Sequence, residues 1–378
     1  MRWPWQDRRN EKSAGGPLVA LAQLAAPRWG SRAPQALARE GYAGNPVAYR
    51  CIRMIAEAAA SVPLSTGHDA LGDLLARPAP GMDGRSLLEA FYSNLQITGN
   101  AYLEAAHLAD DEPPGALFVL RPERMTARTG YNGWIEGWTY DVGHSRRTIA
   151  RTLDGWLPVL HLKLFNPLDD VRGLAPLSAA RRSLDLHNGG ADWQKALIDN
   201  SARPSGALVY GKEGARMSDE QFDRLKSELE SAHTGAMNAG RPLLLEGGLD
   251  WKPMSLSPAD MDFLEARHAA AREIALAFGV PPMLLGIPGD NTYSNYREAN
   301  GAFWKMTVMP LAEKMAAALS AWLGPRFGGA VIEAQAARVP ALAAERAEAW
   351  ARIDAVGFLT DEEKRALAGP LPKAGGGS

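Results

Sequence analysis

The stretch Ile274-Ala275-Leu276-Ala277-Phe278-Gly279-Val280-Pro281-Pro282 closes a long helical pattern and fixes how the rest of the chain divides. Upstream of it, Ser257-Pro258 opens a helix with Asp260 at its third position. Met261, Leu264, Ala271, Ala275 and Phe278 then recur at three-four spacing, one apolar stripe along a helix of about 20 residues. Gly279 and two prolines stop it. The residues that follow, Gly286–Ser294, are rich in Gly, Pro and Asn and read as a mobile loop. Helices resume near Asn295–Leu323. A last helical segment covers Ala341–Ala368, with Thr360 as a cap before Asp361 and Glu363.

Reading back towards the N-terminus, Pro204–Leu256 forms a compact insertion. Ala207–Tyr210, Pro242–Glu246 and Trp251–Leu256 read as short strands. A helix starts at Ser218, with Gln221 completing a capping box and Phe222, Leu225 and Leu229 as its face. Before the insertion lies a second long helix, Pro176–Asn200. Leu177, Ala180, Leu184, Ala191 and Ile198 make its stripe, which His187 and Gln194 interrupt. A stripe broken by polar groups suits packing between neighbouring subunits. Gly189-Gly190 in its middle costs about 1 kcal/mol per glycine against alanine, which predicts a bend or a close helix contact.

Residues 45–165 form an α+β module. Asn45-Pro46 caps and starts a helix that Pro63 stops, and Ser86 with Glu89 reads as the capping box of a second, ended by Gly99-Asn100. The period then changes to two, over Ala101–Ala106, Ala116–Arg121, Trp134–Tyr140, Thr148–Leu153 and Val159–Phe165. Residues 1–40 read as a disordered arm in which Trp3, Trp5 and Trp29 are anchors for a partner, and Leu371–Ser378 reads as a loose tail.

The 378 residues exceed a usual single domain, and 46% hydrophobic content supports a sizeable core. A net charge of −2 argues against a tight grip on phosphate. One cysteine, Cys51, allows neither an internal disulfide nor a cysteine-based zinc site, and reads as a small buried hydrophobe in a protein of a reducing cytoplasm. No apolar run approaches the about 20 residues needed to span a bilayer. There is no phosphate-cradling Gly-rich loop and no nucleophile elbow, and the seven histidines show no metal spacing. Asp260, Asp262 and Glu265 are the one carboxylate cluster with a nuclease-like look. They sit in a helix first turn, where the helix dipole favours acids anyway.

Four segments in order carry a resemblance. They are Asn45-Pro46-Val47-Ala48-Tyr49-Arg50-Cys51-Ile52 to Ser61-Val62-Pro63-Leu64, and Thr98-Gly99-Asn100-Ala101-Tyr102. Next comes Gly173-Leu174-Ala175-Pro176-Leu177, continuing to Asn200-Ser201-Ala202-Arg203-Pro204-Ser205-Gly206. The fourth is Leu256-Ser257-Pro258 to Pro282, with Leu285-Gly286, Thr292-Tyr293-Ser294-Asn295 and Phe303. Together they resemble the portal protein family of long-tailed double-stranded DNA phages, and the short Ala/Arg-rich chain is closest to the version in alphaproteobacterial gene transfer agents. The match runs over roughly residues 40–330.

The resemblance implies an α+β portal fold assembled as a ring, expected as a homododecamer. Its parts would be an arm (1–40), wing (41–172), first stem helix (173–203), clip (204–256), second stem helix (257–279), tunnel-loop region (280–296), wing and crown helices (297–368) and tail (369–378). Leu177, Leu184, Ile198, Met261, Leu264 and Phe278 would pack the stem between subunits. Phe222 and Trp251 would anchor partners on the clip. Asp290, Asn291, Thr292, Tyr293, Ser294 and Asn295 would face the channel. Implied partners are double-stranded DNA held weakly and without specificity, further copies, the major capsid protein, a terminase motor and a head-tail adaptor. Neither cofactor, metal nor membrane is implied. The place is the portal vertex of a virion or gene-transfer-agent particle, assembled in the bacterial cytoplasm. The competing readings are an oligomeric adaptor without DNA contact and a metal-dependent nucleic-acid enzyme.

Overall fold

The computed structural model describes residues 38–107, 112–131, 133–199, 206–210, 249–253, 263–288 and 293–368, with isolated positions at 36, 218, 220, 223, 224 and 227. The arm with Trp3, Trp5 and Trp29, the tail from residue 369 and most of the insertion lie outside the described residues.

Helix α1 spans Pro46–Ser61. Its apolar positions fall on one face, so Ala48, Cys51, Ile52, Ile55, Ala56 and Ala59 are all buried. Fully burying each isoleucine is worth about 1.5–3 kcal/mol. Burial also pushes the Cys51 thiol up to about 12, as expected of an inert packed cysteine. After the short strand β1 (Leu64–Thr66) come α2 (Asp69–Ala76) and α3 (Gly84–Thr98). The cap of α3 differs from expectation. Asp83, not Ser86, is the N-cap, and its carboxylate accepts the Ser86 N–H at 2.6 Å. Helix α3 lies along α1 and buries Leu87, Leu88, Phe91, Tyr92 and Leu95 against it.

Two three-stranded antiparallel sheets follow. The first has order β3-β2-β7 and comprises β2 (Asn100–Ala106), β3 (Ala116–Leu120) and β7 (Val159–Lys163). The second has order β4-β5-β6 and comprises β4 (Met125–Thr129), β5 (Ile135–Asp141) and β6 (Arg146–Ala150). A small core of Tyr102, Leu120, Met125, Trp138, Ile149 and Val159 joins them. Inside it Tyr102 stacks on His161 at 4.4 Å, and Trp138 meets both rings edge-on. Burial holds the His161 imidazole at about 4, so it is neutral.

The expected long helix from Pro176 is two pieces. Helix α4 (Pro176–Ala179) breaks at Ala180, and α5 runs over Arg181–Asp199 straight through Gly189-Gly190. The insertion contributes the hairpin β8 (Gly206–Tyr210) and β9 (Leu249–Pro253), whose register puts Leu208 opposite Trp251. The strand expected at Pro242–Glu246 lies outside the described residues. Helix α6 (Phe263–Ala277) returns alongside α5. Helix α7 (Tyr293–Phe303), a π-helical turn at Trp304–Val308 and α8 (Met309–Leu323) follow. Strand β10 (Ile332–Ala334) pairs with β1, a link over more than 260 residues that three-residue strands do not announce in sequence. Helices α9 (Ala343–Asp354) and α10 (Asp361–Ala368) are the last described elements, and Thr360, expected as a cap, makes a capping box with Glu363.

One hydrophobic core runs through α1, α3, α5, α6 and α8. Helix α8 is therefore built into the first module and is not a separate cap. Trp156 and Trp322 fasten it there: each indole N–H donates to a backbone carbonyl at 2.9 Å, Trp156 to Trp322 and Trp322 to Leu157. Arg326 covers the Trp156 ring at 4.4 Å and pairs with Asp154 at 2.8 Å.

Candidate functional site

Described residues of the four segments that carry the resemblance, Ile52, Ala101, Leu177 and Ile274 among them, share one hydrophobic core. Asn45 is fully buried. Its side-chain oxygen caps α1 by accepting the Val47 and Ala48 N–H groups, both at 3.0 Å. Its side-chain amide donates to His187 Nδ1 at 3.1 Å and to Asn188 Oδ1 at 2.8 Å. Asn188 in turn donates to the Glu40 carbonyl at 3.1 Å. An amide donor against Nδ1 makes that nitrogen an acceptor, so the His187 proton sits on Nε2. Burial first, and the Arg267 charge second, lower the His187 pKa and keep it neutral. One short side chain thus ties the start of α1 to the middle of α5.

A second junction brings Gly99 against Gly173. Gly99 ends α3 at φ +74°, and a Cβ there would lie 2.6 Å from the Leu174 carbonyl carbon. Only glycine tolerates both that φ and that approach. The Asn100 side-chain oxygen accepts the Gly173 N–H at 2.8 Å and bonds His161 Nε2 at 3.0 Å. At the far end of α6, Thr307 donates to the Gly279 carbonyl at 2.7 Å and Arg272 donates to the Pro288 carbonyl at 2.7 Å. Ile287 is buried.

Between α5 and α6, Ser183 donates to Glu273 at 2.5 Å and Arg267 donates to Gln194 at 2.7 Å. Leu177, Leu184 and Phe278, expected to pack between subunits, are 0%, 4% and 4% exposed inside the protomer. A side chain that its own chain has already buried offers no surface to a neighbour, so these three fasten α4, α5 and the end of α6 to the common core. Ile198 and Leu264 lie in α5 and α6, but their side chains, like Met261, lie outside the described residues. The same holds for Phe222 and for the Trp251 side chain on β9.

The expected channel loop is shorter than its composition suggested. Tyr293, Ser294 and Asn295 form the first turn of α7, and Asn295 is half-buried. Asp290, Asn291 and Thr292 lie outside the described residues. Of the carboxylates weighed for metal chemistry, Glu265 is exposed on α6, while Asp260 and Asp262 lie outside the described residues. Among the described residues no group of three His, Cys, Asp or Glu side chains could hold a metal ion. No helix among them is long and apolar enough to cross a membrane.

Sequence reasoning took His187 for a flaw in an apolar stripe and missed Asn100, His161, Trp156, Trp322 and Arg326. Asn45 was legible as a cap, but its spare amide had no local partner to reveal the link to α5.

Asn45→Ala should lower stability by about 2–4 kcal/mol, the sum of a lost cap and two acceptors left unpaired. Asn45→Ser keeps a capping oxygen and should recover about 1 kcal/mol of it. Denaturant titration of the three proteins checks the order. Equal losses for Ala and Ser would show that the cap contributes nothing.

The family model for the phage portal protein matches residues 46–369. A protein of Rickettsia bellii (strain RML369-C) is 38% identical over 344 residues, 88% of this chain and 88% of its own length. A chain in the neck of the native gene transfer agent particle, computed with C12 symmetry, is 50% identical, covers 92% of this chain and 96% of its own, and superposes with a TM-score of 0.71. An HK97-family phage portal protein from Corynebacterium diphtheriae shares the fold at 14% identity and a TM-score of 0.58, over 81% of this chain and 94% of its own.

Proposed function

The chain belongs to the phage portal protein family, and we propose that its ring is the conduit through which double-stranded DNA enters and leaves the particle. It is a head-tail connector, a structural protein of the particle neck at the portal vertex. The observation that carries this is the 50% identity over nearly the whole chain to a subunit of a neck with twelvefold symmetry. Closed rings of identical subunits need long heterologous contacts, and the paired helices α5 and α6 supply an extended element for them.

The finer parts of the reading are DNA contact, motor and adaptor. A conduit must let DNA slide, and each neutralised phosphate adds salt-dependent affinity, so the near-neutral net charge of −2 suits passage better than binding. The hairpin β8–β9 belongs to the insertion, and we assign to that region, as the clip, the docking of a terminase motor and afterwards of an adaptor. The work of packaging belongs to that motor. The major capsid protein would surround the wing.

Electron microscopy of the purified protein tests the reading. A ring with an axial opening wide enough for a duplex is expected, twelvefold in class averages. A globular particle, or an assembly without a channel, overturns it.

A further inference from the structure

We propose that Asn45 and His187 form an acid-sensitive latch, and that protonating His187 releases the outer part of α5 to hinge at Gly189-Gly190. Helix α5 is anchored on one side. Ser183, Leu184 and His187 are buried, while Leu186 on the opposite side is 62% exposed. His187 is also the last buried residue of α5 among those described, since every residue from Asn188 to Lys195 is half-buried or exposed. The Asn45 amide therefore grips α5 at the turn where the helix leaves the core. Two glycines follow at once. A Cβ at Gly189 would meet nothing within 4 Å in the subunit, and one at Gly190 would lie 3.2 Å from Arg267 Cγ. Glycine inside a helix lowers its stability by about 1 kcal/mol against alanine, so α5 bends most easily just beyond the latch.

The orientation of the Asn45 amide makes the contact sensitive to one proton. Its Oδ1 is held by the Val47 and Ala48 N–H groups, so Nδ2 is the atom that faces His187 Nδ1. An amide nitrogen offers only hydrogens, and the neutral ring with its proton on Nε2 has a lone pair on Nδ1 to receive one. The imidazolium carries a proton on both nitrogens. It sets one N–H against another, and the bond is lost. Turning the Asn45 amide over would give the ring an acceptor only by taking it from the two backbone donors of the α1 cap.

The charges around the ring work in the same direction. Helix α6 brings Arg267, which opposes a second positive charge, and Glu273, which Ser183 binds one turn before His187. The π-helical turn Ala38–Ala43 brings Glu40, whose backbone carbonyl takes the Asn188 amide. The first turn of α1 carries no acid, and on α5 Asp185 pairs with Arg181. The fold thus favours the neutral ring, with burial as the larger cause and Arg267 as the smaller. The latch is at full strength above the ordinary imidazole value of about 6.5 and weakens as pH falls below it. One proton is involved, so the closed form loses at most about tenfold per pH unit.

The test is hydrogen exchange of the full chain from about pH 7.5 to about pH 5, corrected for the intrinsic pH dependence of exchange. It is read at residues 188–195 of α5 and at the Val47 and Ala48 amides. Opening at both places should rise together as pH falls below about 6.5, by up to about tenfold per unit. His187→Gln offers an amide oxygen to Asn45 and does not titrate, so its profile should lose that rise. Whatever other histidines contribute, His161 among them, stays in this variant. Asn45→Asp should reverse the sign. One carboxylate oxygen keeps the cap, and the other faces Nδ1 and favours its protonated form, so the latch tightens as pH falls. That oxygen also faces Asn188 Oδ1, a cost that lowers protection at every pH and leaves the direction unchanged. A profile shared by the wild type and His187→Gln overturns the proposal, and so does the wild-type direction in Asn45→Asp. A rise at Val47 and Ala48 with none at residues 188–195 overturns the hinge. If Asn45→Asp does not fold, the wild type and His187→Gln decide by themselves.

Discussion

Leu184→Asp should unfold the subunit, whereas Leu186→Asp, two residues along the same helix, should leave it folded. Leu184 is 4% exposed and belongs to the core that Leu177, Ile274 and Phe278 share. Removing it forfeits about 1.5–3 kcal/mol of apolar burial. The carboxylate adds the larger cost. An unpaired buried charge costs several kcal/mol even after the surroundings relax. The total is a large part of the about 5–15 kcal/mol that holds a domain folded. Insoluble or non-cooperatively melting protein is the expected result for Leu184→Asp. A denaturant midpoint near that of the wild type would show that the α5 stripe is not packed in the protomer.

That contrast marks how far the sequence reaches. The three-four spacing correctly located α5 and α6 as helices, because periodicity reports which face is apolar. It does not report which neighbour covers that face. An apolar stripe looks the same whether the chain or a second subunit buries it, and here the chain buries Leu177, Leu184 and Phe278. Local chemistry was read better. Asn45 and Gly99 were visible as a cap and a stop, since each acts within four residues of itself. Ser86 was misread because Asp83, three residues earlier, is an equally good cap and wins by starting the helix sooner. The long-range links were not legible. Asn45 to His187, Asn100 to the Gly173 N–H and Trp156 to the Trp322 carbonyl all join residues more than 70 positions apart. Nothing in the residue types alone pairs them. The four-segment resemblance carried the fold class, and described residues of all four segments share one core.

Asp290→Lys combined with Asn291→Lys should stall DNA packaging at low salt while rings still assemble. Both residues lie between two anchored points. On one side Ile287 is buried and the Pro288 carbonyl takes a hydrogen bond from Arg272. On the other, α7 begins at Tyr293. As the sequence stands, Gly289, Asp290, Asn291 and Thr292 hold no cation and one anion. Neutral hydrogen bonds from Asn291 or Thr292 to a passing phosphate are worth about 1 kcal/mol each, weak enough to exchange as the backbone moves. The double substitution replaces −1 by +1 and 0 by +1, a change of +3 on every subunit of the ring. Each lysine that neutralises a phosphate releases counterions, so the grip tightens steeply as salt falls, with a slope of about 0.9 per contact. Packaging should slow most at low ionic strength and recover as salt screens the contacts. A packaging-rate assay across ionic strengths, with ring integrity checked by mass, measures this directly. A low-salt rate equal to wild type would show that the segment does not meet DNA.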